Sequence, residues 1–193
     1  MTTIVVGGHS RKVGKTSVVA GLIAALSEYP WTAIKISPHW HENSPAMDAY
    51  DIHEESSREG HSDSSRFLAA GAARSFWVRV PDEQMENAMP SLVLILQSSP
   101  FVIIEGNRIL QYIRPDIYVM VLKYDVSEFK ESARETLSRA DAVIAVNRDS
   151  SMPAWKGISQ EALAGIPLFT TTDPVIIPAG LLDLVRSRLP LAP

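Results

Sequence analysis

Short apolar runs alternate with amphipathic stretches along most of this 193-residue chain. This alternation is typical of βαβ units, in which buried parallel strands are covered by helices on both faces of a sheet. The apolar runs predict strands at 4–6, 33–36, 76–80, 101–104, 117–122, 142–146 and 167–170. We therefore expect an α/β fold of three layers, with a mostly parallel central sheet of about seven strands.

The stretches between these runs predict helices, the clearest at 15–27 and the others at 64–70, 82–96, 127–139, 159–164 and 178–189. Pro90 should kink or split the helix at 82–96, because proline lacks the N–H that a helix needs. The segment 37–62 is polar and aperiodic, and is either a disordered surface insertion or a loop on the substrate side. We expect one domain, residues 1–193, that carries this long loop.

Composition narrows the class of protein. Hydrophobic residues make up 46% and charged residues 21% of the chain, as in an ordinary globular protein. A net charge of -4 argues against a specific nucleic-acid partner, and the lack of cysteine excludes disulfides and thiolate metal sites. There is no signal-peptide pattern and no apolar run long enough to span a membrane. We expect a cytoplasmic protein with no membrane partner.

The strongest functional motif is VVGGHSRKVGKTSVV at 5–19, between the first predicted strand and the first predicted helix. Its Gly14-Lys15-Thr16 matches the end of the phosphate-binding pattern G-x-x-x-x-G-K-[ST]. His9 stands where the first glycine of that pattern belongs, and Gly8 lies one residue earlier. The surrounding strand and helix would still direct backbone N–H groups and the positive end of the helix dipole at one point.

This motif predicts a nucleotide-binding loop in which Lys15 reaches the β- and γ-phosphates and the Thr16 hydroxyl completes the shell of a Mg²⁺ ion. Two of its cations, Arg11 and Lys12, either add charge over the phosphates or are solvated. The residues predicted to bind nucleotide here are Gly8, His9, Ser10, Arg11, Lys12, Val13, Gly14, Lys15, Thr16 and Ser17.

Two later strands end in polar residues that could hold the rest of a nucleotide. Glu105 ends the buried run at 101–104, where a carboxylate can bind Mg²⁺ directly or through water. Asn147 and Asp149 follow the run at 142–146, and we predict that they bind the base. An ordinary surface turn is the alternative for these two residues.

The motif at 5–19 resembles the phosphate loop of dethiobiotin synthetase, which belongs to a wider group with the MobB-type adaptor GTPases of molybdopterin-guanine dinucleotide biosynthesis. SDSSRFLAAGA at 62–72 is similar to the adaptor segment Lys-Asp-Ser-x-Arg-x-x-x-Ala-Gly-Ala. AIKISPHWH at 33–41 and YDIHE at 50–54 resemble the adaptors' Ile-Lys-(His)-x-His-His and Phe-Asp-Ile-Asp. These matches follow the family in order over about 110 residues, and beyond them the resemblance is only architectural.

The resemblance implies a P-loop NTPase fold that binds Mg²⁺ with ATP or GTP. It places Lys35 as a second catalytic cation beside Lys15, and Asp51 as a carboxylate near the metal. GTPases have Asn-Lys-x-Asp at the base, whereas Asp149 follows Asn147 by only two residues, which leaves the choice of nucleotide open. The implied partners are a cofactor-biosynthesis enzyme or a pterin cofactor, and many members of the group form homodimers.

Two functions stay open. One is an accessory protein of molybdopterin-guanine dinucleotide biosynthesis that hydrolyses nucleotide slowly, which the match at 63–72 favours. The other is an ATP-dependent ligase or kinase that acts on a small carboxylate, which the Val-Gly-Lys-Thr spacing favours. Four histidines lie in or beside the long loop, but their spacing fits no compact zinc pattern, so we expect solvated or substrate-side roles for His39, His41, His53 and His61.

Overall fold

The computed structural model describes residues 1–38, 50–147, 152–158 and 160–192. Within these ranges, eight strands form one sheet: β1 (Thr2–Gly8), β2 (Trp31–Ser37), β3 (Asp51–Glu54), β4 (Arg74–Arg79), β5 (Phe101–Glu105), β6 (Ile117–Lys123), β7 (Ala142–Val146) and β8 (Leu168–Thr171). Their order across the sheet is β3-β4-β2-β5-β1-β6-β7-β8. All neighbours are parallel except β3 and β4, which are antiparallel. The predicted mostly parallel α/β sheet is confirmed.

Strand β3 is the departure from the sequence prediction. The segment 37–62 was predicted as one continuous loop, and this is wrong at Asp51–Glu54, which pair with β4 at the edge of the sheet. Two cross-strand ion pairs hold β3 there, Asp51 with Arg79 and Glu54 with Arg74. The eighth strand is thus stabilised by ion pairs between distant residues, and an apolar pattern in the sequence does not mark it.

The described α-helices are α1 (Lys15–Ala25), α2 (Asp63–Ala69), α3 (Met85–Gln97), α4 (Glu131–Leu137) and α5 (Ala179–Arg186). The predicted helix at 159–164 is a 3₁₀ turn, Gln160–Leu163. Pro90 was predicted to kink or split the helix at 82–96, and it lies inside α3 without dividing it. The helical hydrogen bond that Pro90 cannot donate would reach the carbonyl of Glu86, an exposed residue in the first turn.

Alternate residues of the strands point to opposite faces of the sheet, so each face has its own apolar core. In β1, Ile4 and Val6 pack with residues of α1, α2 and α5, while Val5 packs with residues of α3 and α4. The result is three layers, helices on either side of a sheet. The carboxyl ends of the parallel strands meet at one edge, and the loop after β1 lies there. In the described part of the chain, no helix has the length and apolar character needed to cross a bilayer.

Candidate functional site

The loop between β1 and α1 folds Lys15 back over its own backbone. The chain takes a left-handed conformation at Lys12 (φ 58°) and at Gly14 (φ 103°) before α1 begins. Lys15 Nζ then donates a hydrogen bond to the carbonyl oxygen of Ser10 at 2.8 Å. No side chain caps the start of α1. Its first N–H groups, together with the ammonium group, form the kind of site that binds a phosphate.

His9 lies beneath this loop rather than on its surface. The imidazole is fully buried and packs against the rings of Phe129 and Trp155, with centroid distances of 5.0 and 6.1 Å. Its Nε2 accepts a hydrogen bond from the backbone N–H of Lys123 at 3.0 Å, so its Nδ1–H donates to the carbonyl of Glu128 at 2.8 Å. Burial lowers the pKa of His9 to about 4, which keeps the ring neutral. His9 therefore supports the loop from beneath.

Asn107 holds the loop from the β5 side, and sequence reasoning did not assign it a role. The backbone N–H of Gly8 donates to Asn107 Oδ1 at 2.7 Å, and Asn107 Nδ2 donates to the carbonyl of Gly8 at 3.0 Å. The signal for this residue was its position two residues after Glu105, at the end of a strand that neighbours β1.

Thr16, Lys35 and Glu105 meet where β2 and β5 end. Thr16 Oγ1 donates to Glu105 Oε2 at 2.8 Å, and Lys35 Nζ forms a close ion pair with Glu105 Oε1. The sheet register explains the meeting, because Lys35 of β2 lies directly beside Glu105 of β5. Only 1% of Glu105 is exposed, so its charge depends on these two partners.

Asp63 joins this group from the first turn of α2. Its Oδ2 lies 3.0 Å from Lys35 Nζ, and the same Nζ lies 3.5 Å from Thr16 Oγ1. One hydroxyl and two carboxylates therefore surround a single point, and oxygen donors of this kind suit a hard cation such as Mg²⁺. The residues present thus fit a magnesium site. In the sequence, Asp63 was identified only within the family match at 62–72, without a role at the metal.

Asp51, the predicted third metal residue, is not brought to this group. It lies on β3, where its carboxylate pairs with Arg79 at 3.0 Å. It is also not one of the residues lining the cavity that contains Thr16 and Glu105. The second carboxylate that joins Glu105 in this group is Asp63, which lies twelve positions after Asp51 and contacts Lys35 Nζ.

A cavity of about 1250 Å³ opens over the loop and this group. Every residue of the predicted nucleotide-binding loop except His9 lines it. Lys35, Arg66 and Lys130 line it as well, which makes the wall rich in cations, and Glu105 is also in the wall. Arg66 also donates to Ser17 Oγ at 3.1 Å and thereby ties α2 to the start of α1.

The electrostatics of the cavity suit an anionic ligand. Burial lowers the pKa of Lys15 to about 8; Glu105 raises it, whereas Lys35 and Lys130 lower it further. A bound anion would oppose this shift, because it stabilises the charged ammonium.

A second cavity of about 370 Å³ lies on the β6–β8 side of the loop. Four loop residues, Lys12, Val13, Gly14 and Ser17, line both cavities, and the other walls of the second are Lys123, Val146, Asp173 and Pro174. One elongated ligand could therefore reach from one cavity into the other across the loop. Neither Lys123 nor Asp173 was predicted as a site residue from the sequence; Lys123 ends β6 and Asp173 follows β8.

The predicted base-binding residues are placed only in part. Asn147 directly follows Val146 of the second cavity, and its backbone N–H donates to the carbonyl of Thr171 at 3.1 Å. Asp149 lies outside the described residues, as do His39 and His41. Among the residues that are described, no group of three or more His, Cys, Asp or Glu side chains could hold a metal ion. His61 is exposed at the rim of the larger cavity, 3.3 Å from Glu59.

No family model and no curated protein sequence matches the chain. Among solved structures, it is similar to LpxK from Aquifex aeolicus, solved with ATP, with a TM-score of 0.52 and 19% identity over 88% of this chain. The chain spans about half of LpxK, 53% of its length. It is also similar to HypB from Helicobacter pylori, solved with nickel, with a TM-score of 0.52 and 15% identity over 96% of this chain and 86% of that one.

Bacillus subtilis MobB matches 97% of this chain and 98% of its own at 22% identity, but its TM-score of 0.43 is too low to support an argument. Identities this low inform about the fold alone. LpxK and HypB are P-loop NTPases, and their resemblance agrees with the eight-stranded sheet and the loop after β1. This protein has the P-loop NTPase fold.

Proposed function

We propose that this protein binds a nucleoside triphosphate with Mg²⁺ across the carboxyl edge of its sheet and hydrolyses it slowly. One observation carries the proposal. A half-buried lysine, an uncapped helix start and an oxygen-rich group made by Thr16, Glu105 and Asp63 all face one cavity. Each of the three suits a different part of a Mg²⁺–triphosphate, namely the phosphate charge, the phosphate oxygens and the metal.

In this proposal, Lys15 and the backbone N–H groups of residues 10–16 hold the β- and γ-phosphates. Thr16, Glu105 and Asp63 hold Mg²⁺, which supplies positive charge against the phosphate oxygens. Lys35 and Arg66 add cations on the side of the cavity that faces away from the nucleoside. Such a site accelerates phosphoryl transfer by positioning and by charge neutralisation, since the reaction requires little covalent chemistry from the protein.

The nucleoside would occupy the second cavity, since the loop forms a wall of both cavities. There the base would lie among Lys123, Val146 and Pro174, with Asn147 and Asp173 near its polar edge. Asp173 Oδ1 accepts a hydrogen bond from the N–H of Val175 at 3.1 Å, which fixes the direction of the carboxylate. Guanine presents two adjacent N–H donors that a carboxylate can accept, whereas adenine presents a ring nitrogen with a lone pair. We therefore favour GTP over ATP.

At the level of the cell, the proposal is an accessory role in molybdopterin-guanine dinucleotide biosynthesis in the cytoplasm. The ordered matches at 33–41, 50–54 and 62–72 support it. The partner would be an enzyme of that biosynthesis or its pterin cofactor. The protein would form a homodimer, as many members of the group do. The second candidate is a ligase or kinase for a small carboxylate. One observation favours this candidate: the larger cavity extends beyond the loop to Trp77, Arg108 and Gln111, which leaves room for a second substrate.

The direct test of nucleotide binding compares Lys15→Ala with Lys156→Ala, whose side chain is exposed and lines neither cavity. Calorimetric titration with non-hydrolysable GTP and ATP analogues and Mg²⁺ should show that Lys15→Ala weakens binding by about 10- to 100-fold, the usual value of a hydrogen bond to a charged group. Lys156→Ala should bind as the unaltered protein does. Equal binding by all three proteins would refute the proposed site.

The two candidate roles are separated by phosphate release. An accessory NTPase should release phosphate slowly from GTP without any further substrate. A ligase or kinase should consume ATP only when small carboxylates are added, and should form a phosphorylated product that ³¹P NMR can detect.

A further inference from the structure

We propose that Lys35 is a built-in counter-ion that excludes a divalent cation from the Thr16–Glu105–Asp63 group until a triphosphate arrives. This inference rests on the proposed function and concerns the regulation of the same site. In this role, Lys35 makes metal binding conditional on nucleotide binding. Its contact with the carboxylates can be altered independently of the phosphate loop.

The geometry places the ammonium group at the centre of the metal-binding oxygens. Lys35 Nζ forms a close ion pair with Glu105 Oε1, and lies 3.0 Å from Asp63 Oδ2 and 3.5 Å from Thr16 Oγ1. These oxygens come from three elements, β5, α2 and α1. A divalent cation that used the same oxygens would lie within a few ångströms of Nζ, where two positive charges repel each other strongly. Lys35 must therefore leave before the metal can enter.

Lys35 is held where it is by the burial of Glu105. The side chain of Glu105 is 2% exposed and that of Lys35 is 15% exposed, so neither charge can be left to solvent alone. Loss of one member of a buried ion pair is strongly destabilising, because the other charge stays behind without compensation. Exchange of Lys35 for Mg²⁺ keeps Glu105 compensated, but it leaves the ammonium in need of a new anion.

The protein itself offers no obvious new anion. Among the described residues that line the cavity, the carboxylates are Glu105, Asp63 and Asp82, and Asp82 is already paired with Arg108. The terminal phosphate of a triphosphate bound at Lys15 would supply one. Lys35 then moves from the carboxylates to the phosphate as Mg²⁺ takes its place, so nucleotide and metal bind with positive coupling. A diphosphate ends one phosphate short of Lys35 and should show weaker coupling.

The test measures Mg²⁺ binding without nucleotide, by calorimetry and by the melting temperature. The variant is Lys35→Met, and the control is the exposed Lys156→Met. The unaltered protein and the control should show no saturable rise in melting temperature with millimolar Mg²⁺. Lys35→Met should melt at a lower temperature without Mg²⁺ and recover as Mg²⁺ binds, because a ligand that binds only the folded state stabilises it.

Two more variants keep the result interpretable. Lys35→Gln retains a polar side chain in case the methionine variant does not fold, and it should show the same gain of Mg²⁺ binding. The double variant Lys35→Met/Glu105→Gln removes both buried charges, so it should fold and show no gain. If Mg²⁺ binds the unaltered protein as tightly as it binds either Lys35 variant, or if neither folded Lys35 variant gains any Mg²⁺ binding, the counter-ion role is wrong.

The outcome is separable from that of the proposed function. A failure of the unaltered protein to bind any triphosphate would refute nucleotide binding, yet the Mg²⁺ titrations would still report on Lys35. Conversely, tight nucleotide binding together with Mg²⁺ binding that ignores Lys35 would refute the counter-ion role alone.

Discussion

The imidazole of His9, the first residue after β1, accepts a hydrogen bond from the backbone N–H of Lys123, which ends β6. The two residues are 114 positions apart, and the bond joins the phosphate-loop side of the site to the side of the second cavity. The same ring donates to the carbonyl of Glu128. His9 thus occupies the position where a phosphate loop usually has glycine, and here it is a buried residue that supports the loop.

We predict that His9→Gly, although it restores the usual glycine, destabilises the protein. The substitution leaves the Lys123 N–H and the Glu128 carbonyl without their partner and opens a cavity beside Phe129 and Trp155. The expected loss is about 2–4 kcal/mol in the free energy of unfolding, measured by denaturant titration. His61→Gly, which removes an exposed histidine, should cost less than about 1 kcal/mol. Equal losses for the two variants would contradict the support role.

The lowered pKa of His9 predicts acid sensitivity. The pKa is about 4 in the folded protein and near the ordinary 6.5 when unfolded, so between these values the unfolded chain binds more protons. Stability should therefore be complete above about pH 6.5 and fall as the pH decreases towards 4, by up to about 3 kcal/mol from this residue. His9→Gln lacks the titration and should lose less over the same range. If the stabilities of the two proteins had the same pH dependence, the acid sensitivity could not be attributed to His9.

The lowered pKa of Lys15 predicts proton uptake when nucleotide binds. Its pKa of about 8 means that part of the population is neutral near pH 8, while phosphate contact favours the charged form. Affinity should decrease as the pH rises through about 8. Calorimetry near pH 8 in two buffers with different ionisation enthalpies should give different binding enthalpies, and the difference should shrink near pH 7. An enthalpy independent of the buffer at both values would show that Lys15 does not take up a proton.

Asp173 is predicted to set the preference for guanine. Asp173→Asn replaces one acceptor oxygen by a donor, so GTP binding should weaken by about 10- to 100-fold relative to ATP binding. Competition titrations with a fluorescent nucleotide measure this ratio. Asp183→Asn, on the exposed side of α5, is the matched control and should leave the ratio unchanged. An unchanged ratio in Asp173→Asn would place the base away from this carboxylate.

Much of the fold was predictable because burial leaves a local signature. Each of the seven predicted strands is mostly apolar, and β5 and β7 are buried along their whole length. Strand β3 is only partly buried, with two half-buried and two exposed residues, and it forms ion pairs with Arg74 and Arg79, about twenty to thirty positions later. No local rule anticipates such a strand.

The arrangement of the candidate site was predictable where one motif contains all the residues, and not where residues distant in the chain come together. Lys15 and Thr16 follow directly from the motif, and Glu105 from its place at a strand end. The choice between Asp51 and Asp63 depends on which of the two carboxylates folds back to Lys35, and the sequence gives no spacing rule for that. The role of His9 was hidden for the same reason, since its partners Lys123 and Glu128 are more than 110 positions away.

The short, charged strand β3 has a consequence for association between molecules. A sheet edge with free N–H and C=O groups invites another strand to add to it, which leads to aggregation. Here the edge beyond β4 is closed by four residues, two of them acidic and engaged in ion pairs with arginines. An incoming strand would find little length and an unfavourable charge pattern, so this end of the sheet is protected against edge-to-edge growth.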